Sequence, residues 1–93
     1  MHRVKYAFRW RERAVKDLRA MPDPTALTIL RALAALRDDP RLQDVDVKKL
    51  AGYDDRHRLR VGDYRVIYDV MDSQVVILLV GVGHRRETYR ATS

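Results

Sequence analysis

The sequence contains no cysteine, so it can build neither a disulfide framework nor a thiolate-ligated zinc site. Glycine and proline are scarce, four and three in 93 residues, which excludes collagen-like and low-complexity chains. No apolar run approaches the ~20 residues that a bilayer span needs. The opening Met1-His2-Arg3-Val4-Lys5 has no apolar signal-peptide core. These absences predict a cytoplasmic protein with no membrane partner. Internal repeats and linker-like shifts of composition are also missing. One domain over residues 1–93, with one modest core, is the expectation.

What the chain does have is positive charge. Nineteen Lys and Arg stand against thirteen Asp and Glu, a net charge of +6. Fifteen of the nineteen are arginine, which grips phosphate bidentately and stays protonated near neutrality. Such a chain points to a polyanionic partner, although a GC-rich coding sequence would also favour Arg over Lys. Residues 1–46 and 47–93 each carry +3, so any asymmetry of charge must arise in three dimensions.

Hydrophobic periodicity divides the chain. Val4, Tyr6, Phe8 and Trp10 alternate with polar residues, the period of a half-buried strand. From about Arg11 the period lengthens, and Ala14, Val15, Leu18 and Met21 take helical spacing. Met21-Pro22-Asp23-Pro24 breaks that helix, with Asp23 as N-cap and Pro24 at the first position of the next. Leu27, Leu30, Leu33 and Leu36, with Ile29 and Ala34, form one apolar stripe, and Pro40 ends the helix. A polar crossing runs from Arg41 to Gly52. Strands follow over Arg56 to Val61, Tyr64 to Val70 and Val75 to Val82, the last nearly all apolar and hence central. The order is β-α-α-β-β-β, an α+β fold with a helical hairpin packed on one face of a mostly antiparallel four-stranded sheet.

The turn Gly62-Asp63 fixes a register. A two-residue turn pairs Val61 with Tyr64, Arg60 with Arg65, Leu59 with Val66 and Arg58 with Ile67. His57, Leu59, Val61, Tyr64, Val66 and Tyr68 then face the helices, and Arg56, Arg58, Arg60 and Arg65 face outward. Arg60 opposite Arg65 is a like-charge pair that costs stability, and a phosphodiester ligand would relieve it. The bland alternative is a solvated face whose arginines pair with Asp54, Asp55 and Asp69. The tail Gly83-His84-Arg85-Arg86-Glu87-Thr88-Tyr89-Arg90 adds an imidazole, guanidiniums and an aromatic able to stack on a base. Lys48 and Lys49 extend the patch or belong to a solvated loop. His57 reads as a packed histidine, and Tyr6, Phe8, Trp10 and Tyr68 read as core. No Walker loop, metal-ligand spacing or Ser-His-Asp arrangement is present.

These residues resemble the RelE/ParE toxin superfamily of type II toxin–antitoxin systems, and its RelE branch in particular. The segments that carry the likeness run from Arg58 to Tyr68 and from Gly83 to Arg90, with Lys49-Leu50-Ala51-Gly52 as a weaker element. The resemblance implies a toxin that enters the ribosomal A site and cuts mRNA through the substrate's own 2′-hydroxyl, without metal or cofactor. It assigns Arg56 and Arg58 to the neighbourhood of the nucleophile and Arg65 to the scissile phosphate. Arg85 falls at the leaving oxygen and Tyr89 on a base. Lys48, Lys49, Arg56, Arg60 and Arg86 would bind RNA. Arginine is a poor general base, so His84 becomes the expected proton-transfer group. The implied partners are an acidic antitoxin, the ribosome with its mRNA, and operator DNA through the antitoxin. A ParE-type gyrase poison and a non-catalytic RNA- or ribosome-binding module are the competing readings.

Overall fold

The computed structural model describes residues 5–41 and 46–84. Val4, Arg85, Arg86 and Tyr89 lie outside the described residues. The alternating start becomes β1 (Ala7–Trp10), with Phe8 and Trp10 turned to the core and Ala7 and Arg9 exposed. α1 (Glu12–Arg19) follows at once, acidic in its first turn and basic in its last, as the helix dipole favours. Ala14 is its buried contact. The proline break acts one residue earlier than expected, with Pro22 as N-cap and Asp23 as the first residue of α2 (Asp23–Ala34).

α2 corrects the expected stripe. Ile29 and Leu33 are buried, as is Leu36 in the 3-10 turn Ala35–Arg37, but Leu27 and Leu30 are 48% and 42% exposed. Steps of three fall about 60° short of a helical turn. The series Leu27, Leu30, Leu33 and Leu36 therefore winds half-way round the helix, and only its last two members reach the sheet.

The sheet has five strands where four were expected, in the order β1-β5-β4-β3-β2. The additional strand is β2 (Val47–Lys49), inside the crossing read as a polar loop. Its pairing with β3 (Arg56–Val61) sets Val47 beside Leu59 in the core and leaves Lys48 and Lys49 exposed. β4 (Tyr64–Met71) and β5 (Val76–His84) complete the sheet. β1 runs parallel to β5 and every other pairing is antiparallel. α1 lies against β5 and α2 against β3. The α+β class and the layering agree with expectation.

The β3–β4 register is the one the turn dictates, including Arg60 opposite Arg65. Gly62 has φ +59°, the positive value that a type II′ turn needs at its first central position. Between β4 and β5 the register slips once: Tyr68 pairs Leu79 but Ile67 pairs Gly81, and Val80 is skipped as a bulge.

Before β5 the chain makes a 3-10 turn, Asp72–Gln74, closed by Val75 at φ 53°, ψ 49°. A β-branched side chain is strained in that left-handed region. The backbone there is held by Val75 N–H donating to Asp72 O and Ala7 N–H donating to Val75 O. Val75→Asn should therefore stabilise the protein by about 0.5–1 kcal/mol, read as a rise of a few degrees in a thermal melt. An unchanged or lower Tm would show that the turn tolerates valine without strain.

Candidate active site

Alternate residues of β3 are pinned on the core side, and the pleat then sends their neighbours outward. His57 is fully buried and stacks on Tyr68, with ring centroids 5.4 Å apart and planes 12° from parallel. Its Nε2 donates to Asp55 Oδ1 at 2.7 Å, and the Tyr68 hydroxyl donates to the Pro40 carbonyl at 2.7 Å. Asp55 also accepts from Arg41 Nε at 3.0 Å and from Arg41 Nη2. Arg41 reaches on to Asp72, whose other oxygen accepts from the Tyr6 hydroxyl at 2.6 Å. Burial pushes the Asp55 carboxyl up, but the hydrogen bonds from Arg41 and His57 outweigh it and hold the group below the ordinary carboxylate value. Arg41 and Tyr6 lower Asp72 in the same way. His57 is the packed histidine that the sequence predicted.

The outward residues gather on the opposite face. β2 sets Lys48 directly across from Arg58, and β4 sets Ile67 on the other side of the same row. The next row holds Arg60, Arg65 and Gly83. Lys48, Arg58, Arg60 and Arg65 therefore share one face across three adjacent strands, with strands about 4.8 Å apart. Arg58 is only 7% exposed. Its Nε is buried with no hydrogen-bond partner among the described residues, a costly state for a charged group. Arg60 stands 3.6 Å from Asp46.

The field of cations ends at Arg56. Its guanidinium bonds Asp69 through Nε at 2.6 Å and Nη2 at 2.9 Å and lies 4.2 Å from the Tyr53 ring centre. Asp69 holds Arg56 further toward its charged form. Beyond it, Asp54, Asp55 and Asp69 line a cavity of about 380 Å³ with Arg11 and Tyr53, unsuited to a polyanion. The partnering expected for a merely solvated face thus holds for Arg56 with Asp69. Asp55 instead serves Arg41, a partner 14 residues away that no local pattern announces.

Two other expected members, Lys49 and His84, do not join the cluster. Lys49 pairs with His57 and so belongs to the alternation of the other face. His84 pairs with Tyr64, and their rings meet edge-on with centroids 6.1 Å apart. Tyr64 packs against the core, so His84 leaves the sheet on the side away from Arg65. Arg85, Arg86 and Tyr89 fall outside the described residues.

A sheet face that gathers Lys48, Arg58, Arg60 and Arg65 has parallels among known proteins. The family model for the ParE toxin of the type II toxin–antitoxin system parDE matches residues 8–89. The chain belongs to this family. Among its relatives is the mRNA interferase toxin RelE of Escherichia coli K12, 29% identical over 87 residues that cover 91% of this chain and 88% of that one. A mutant of E. coli RelE solved in the free state is similar at a TM-score of 0.80 with 26% identity, covering 95% of this chain and 90% of that one. The RelE of Pyrococcus horikoshii, solved in an archaeal RelE–RelB complex, gives a TM-score of 0.75 at 32% identity, covering 87% and 96%. This member of the ParE toxin family is of the RelE type, as its hairpin and tail motifs implied.

Proposed function

We propose that this toxin is a ribosome-dependent mRNA endonuclease. The observation that carries the reading is Arg58, a nearly buried guanidinium with Nε unpartnered among the described residues, flanked by Lys48, Arg60 and Arg65. A fold gains nothing by burying such a group, whereas a phosphodiester passing over β2, β3 and β4 supplies the counter-charge that the guanidinium lacks among the described residues. The RelE relatives bear the mRNA interferase name, which supports the same substrate.

In the proposed reaction the substrate's 2′-oxygen attacks phosphorus and loses its proton, and the bond from phosphorus to the 5′-oxygen breaks. The leaving oxygen takes up a proton. The products are a 2′,3′-cyclic phosphate and a 5′-hydroxyl, with no metal required. Negative charge grows on the non-bridging oxygens, and Arg58 and Arg65 stabilise it from fixed positions. Lys48 and Arg60 hold the flanking phosphates, while Arg56 is braced against Asp69 and supports the strand. We assign the proton exchange to the residues beyond His84, Arg85 among them, with Tyr89 stacking on a base; His84 itself packs on Tyr64 on the other face of the sheet. A cationic face of this kind also fits an acidic antitoxin that covers it, consistent with the RelE–RelB complex of the archaeal relative.

Purified toxin added to a translation extract tests the reading by primer extension on the translated message. Cuts that need the ribosome and yield cyclic phosphate ends are expected. Intact mRNA with altered plasmid supercoiling would assign the chain to gyrase poisoning instead.

A further inference from the structure

β1 ends at Trp10, opposite Leu79. Past that point β5 keeps β4 on one side but has lost its parallel neighbour on the other, and the backbone groups on that side need new partners. α1 takes the place of β1 there. Asp17 Oδ2 accepts the Val82 N–H at 3.0 Å, and a methyl group built on Gly81 would stand 3.6 Å from the same oxygen. Among the described residues the other polar contact of Asp17 is Arg13 Nε at 3.8 Å, one turn earlier on the helix. Val82 is only 4% exposed, so without the carboxylate its N–H would be buried and unsatisfied.

The bond falls two residues after the skipped Val80. That bulge decides which residues of β5 stand opposite Arg65 and Tyr64. With it, Gly83 faces Arg65 and His84 faces Tyr64. Without it, every residue from Gly81 onward would shift by one and change face.

We propose that Asp17 is a positioning residue for the cleavage reaction: by replacing the missing strand neighbour, it locks the bulged register of β5 and so fixes Gly83 opposite Arg65 at the end of the strand. This rests on the reading of the chain as an endonuclease whose tail takes part in the chemistry. Asp17 itself lies on the helix side and touches no substrate.

The test joins amide hydrogen exchange with steady-state cleavage on ribosomes. In the wild-type protein the Val82 amide exchanges slowly. In Asp17→Ala it exchanges at least about tenfold faster, while the Val66 and Ile67 amides stay protected. The kcat of Asp17→Ala falls about tenfold or more through misplacement of the tail, with KM held within about twofold. Asp17→Asn restores most of the kcat, because its amide oxygen accepts the same bond. An unchanged kcat in Asp17→Ala overturns the proposal, and so does an Asp17→Asn as impaired as the alanine variant. Should Asp17→Ala not fold, a wild-type Val82 amide that exchanges as fast as that of exposed Gly62 overturns it equally. A wild-type protein that cuts no mRNA sinks the endonuclease reading instead, and the exchange data then decide the register lock alone.

Discussion

Arg65→Ala should cut mRNA on ribosomes at least about a hundredfold more slowly than the wild-type toxin, with its melting temperature within a few degrees. Removing one preorganised donor from a developing oxyanion typically costs ~2.7–4 kcal/mol, and each ~1.4 kcal/mol is a factor of ten in rate. The stability side points the other way. Arg65 stands opposite Arg60 across β3 and β4, and like charges in that position repel, so this cross-strand pairing does not itself stabilise the fold. Arg58→Ala should lose a similar factor in rate, since its guanidinium sits on the same face in the adjacent register row. Arg65→Lys keeps the charge but not the fork and should fall between alanine and wild type. Single-turnover cleavage on programmed ribosomes, with a thermal melt of each variant, measures both quantities. A loss below tenfold in Arg65→Ala would remove it from the reacting phosphate.

Much of that face is legible in the sequence because one turn determines it. Gly62-Asp63 leaves room for two residues only, so the pairing of β3 with β4 follows by counting, and period-two alternation sorts the arginines from the core. Arg56 opposite Asp69 follows from the same count. β2 is not legible. Three residues with one apolar position carry too little periodicity, and Val47 finds its strand because Leu59 offers it a place in the core. That strand promotes Lys48 from a loop to the row of Arg58 and sends Lys49 to the other face. The bulge at Val80 is hidden for the opposite reason. An almost wholly apolar run has no alternation to break, so the face from which His84 departs depends on tertiary contacts such as that of Asp17.

The same dependence on distant partners gives Asp55 a large share in stability. Asp55→Ala is expected to destabilise the protein by about 2–3 kcal/mol. His57 Nε2, on a fully buried ring whose Nδ1 already has no partner among the described residues, loses its acceptor, and the Arg41 guanidinium loses Asp55 while keeping Asp72. Breaking a fully buried pair costs ~3–5 kcal/mol, and the side chains of Arg41 and Asp55 are 38% and 23% exposed, which lowers the figure. For a chain of this size the loss corresponds to a fall of about 10–20 °C in Tm. The contribution has a defined pH dependence. Because folding holds the Asp55 carboxyl below its ordinary value, its stabilisation is complete above the unfolded carboxylate pKa of ~3.9. It is lost as pH falls through the lower folded value. Asp55→Ala should therefore show a flatter acid limb in Tm against pH than the wild-type protein. Asp55→Asn, which keeps one acceptor but no charge, should recover part of the Tm and none of that slope. Equal acid limbs in all three proteins would mean that another carboxylate governs acid unfolding, with Asp72, bound to Arg41 and Tyr6, the next to replace.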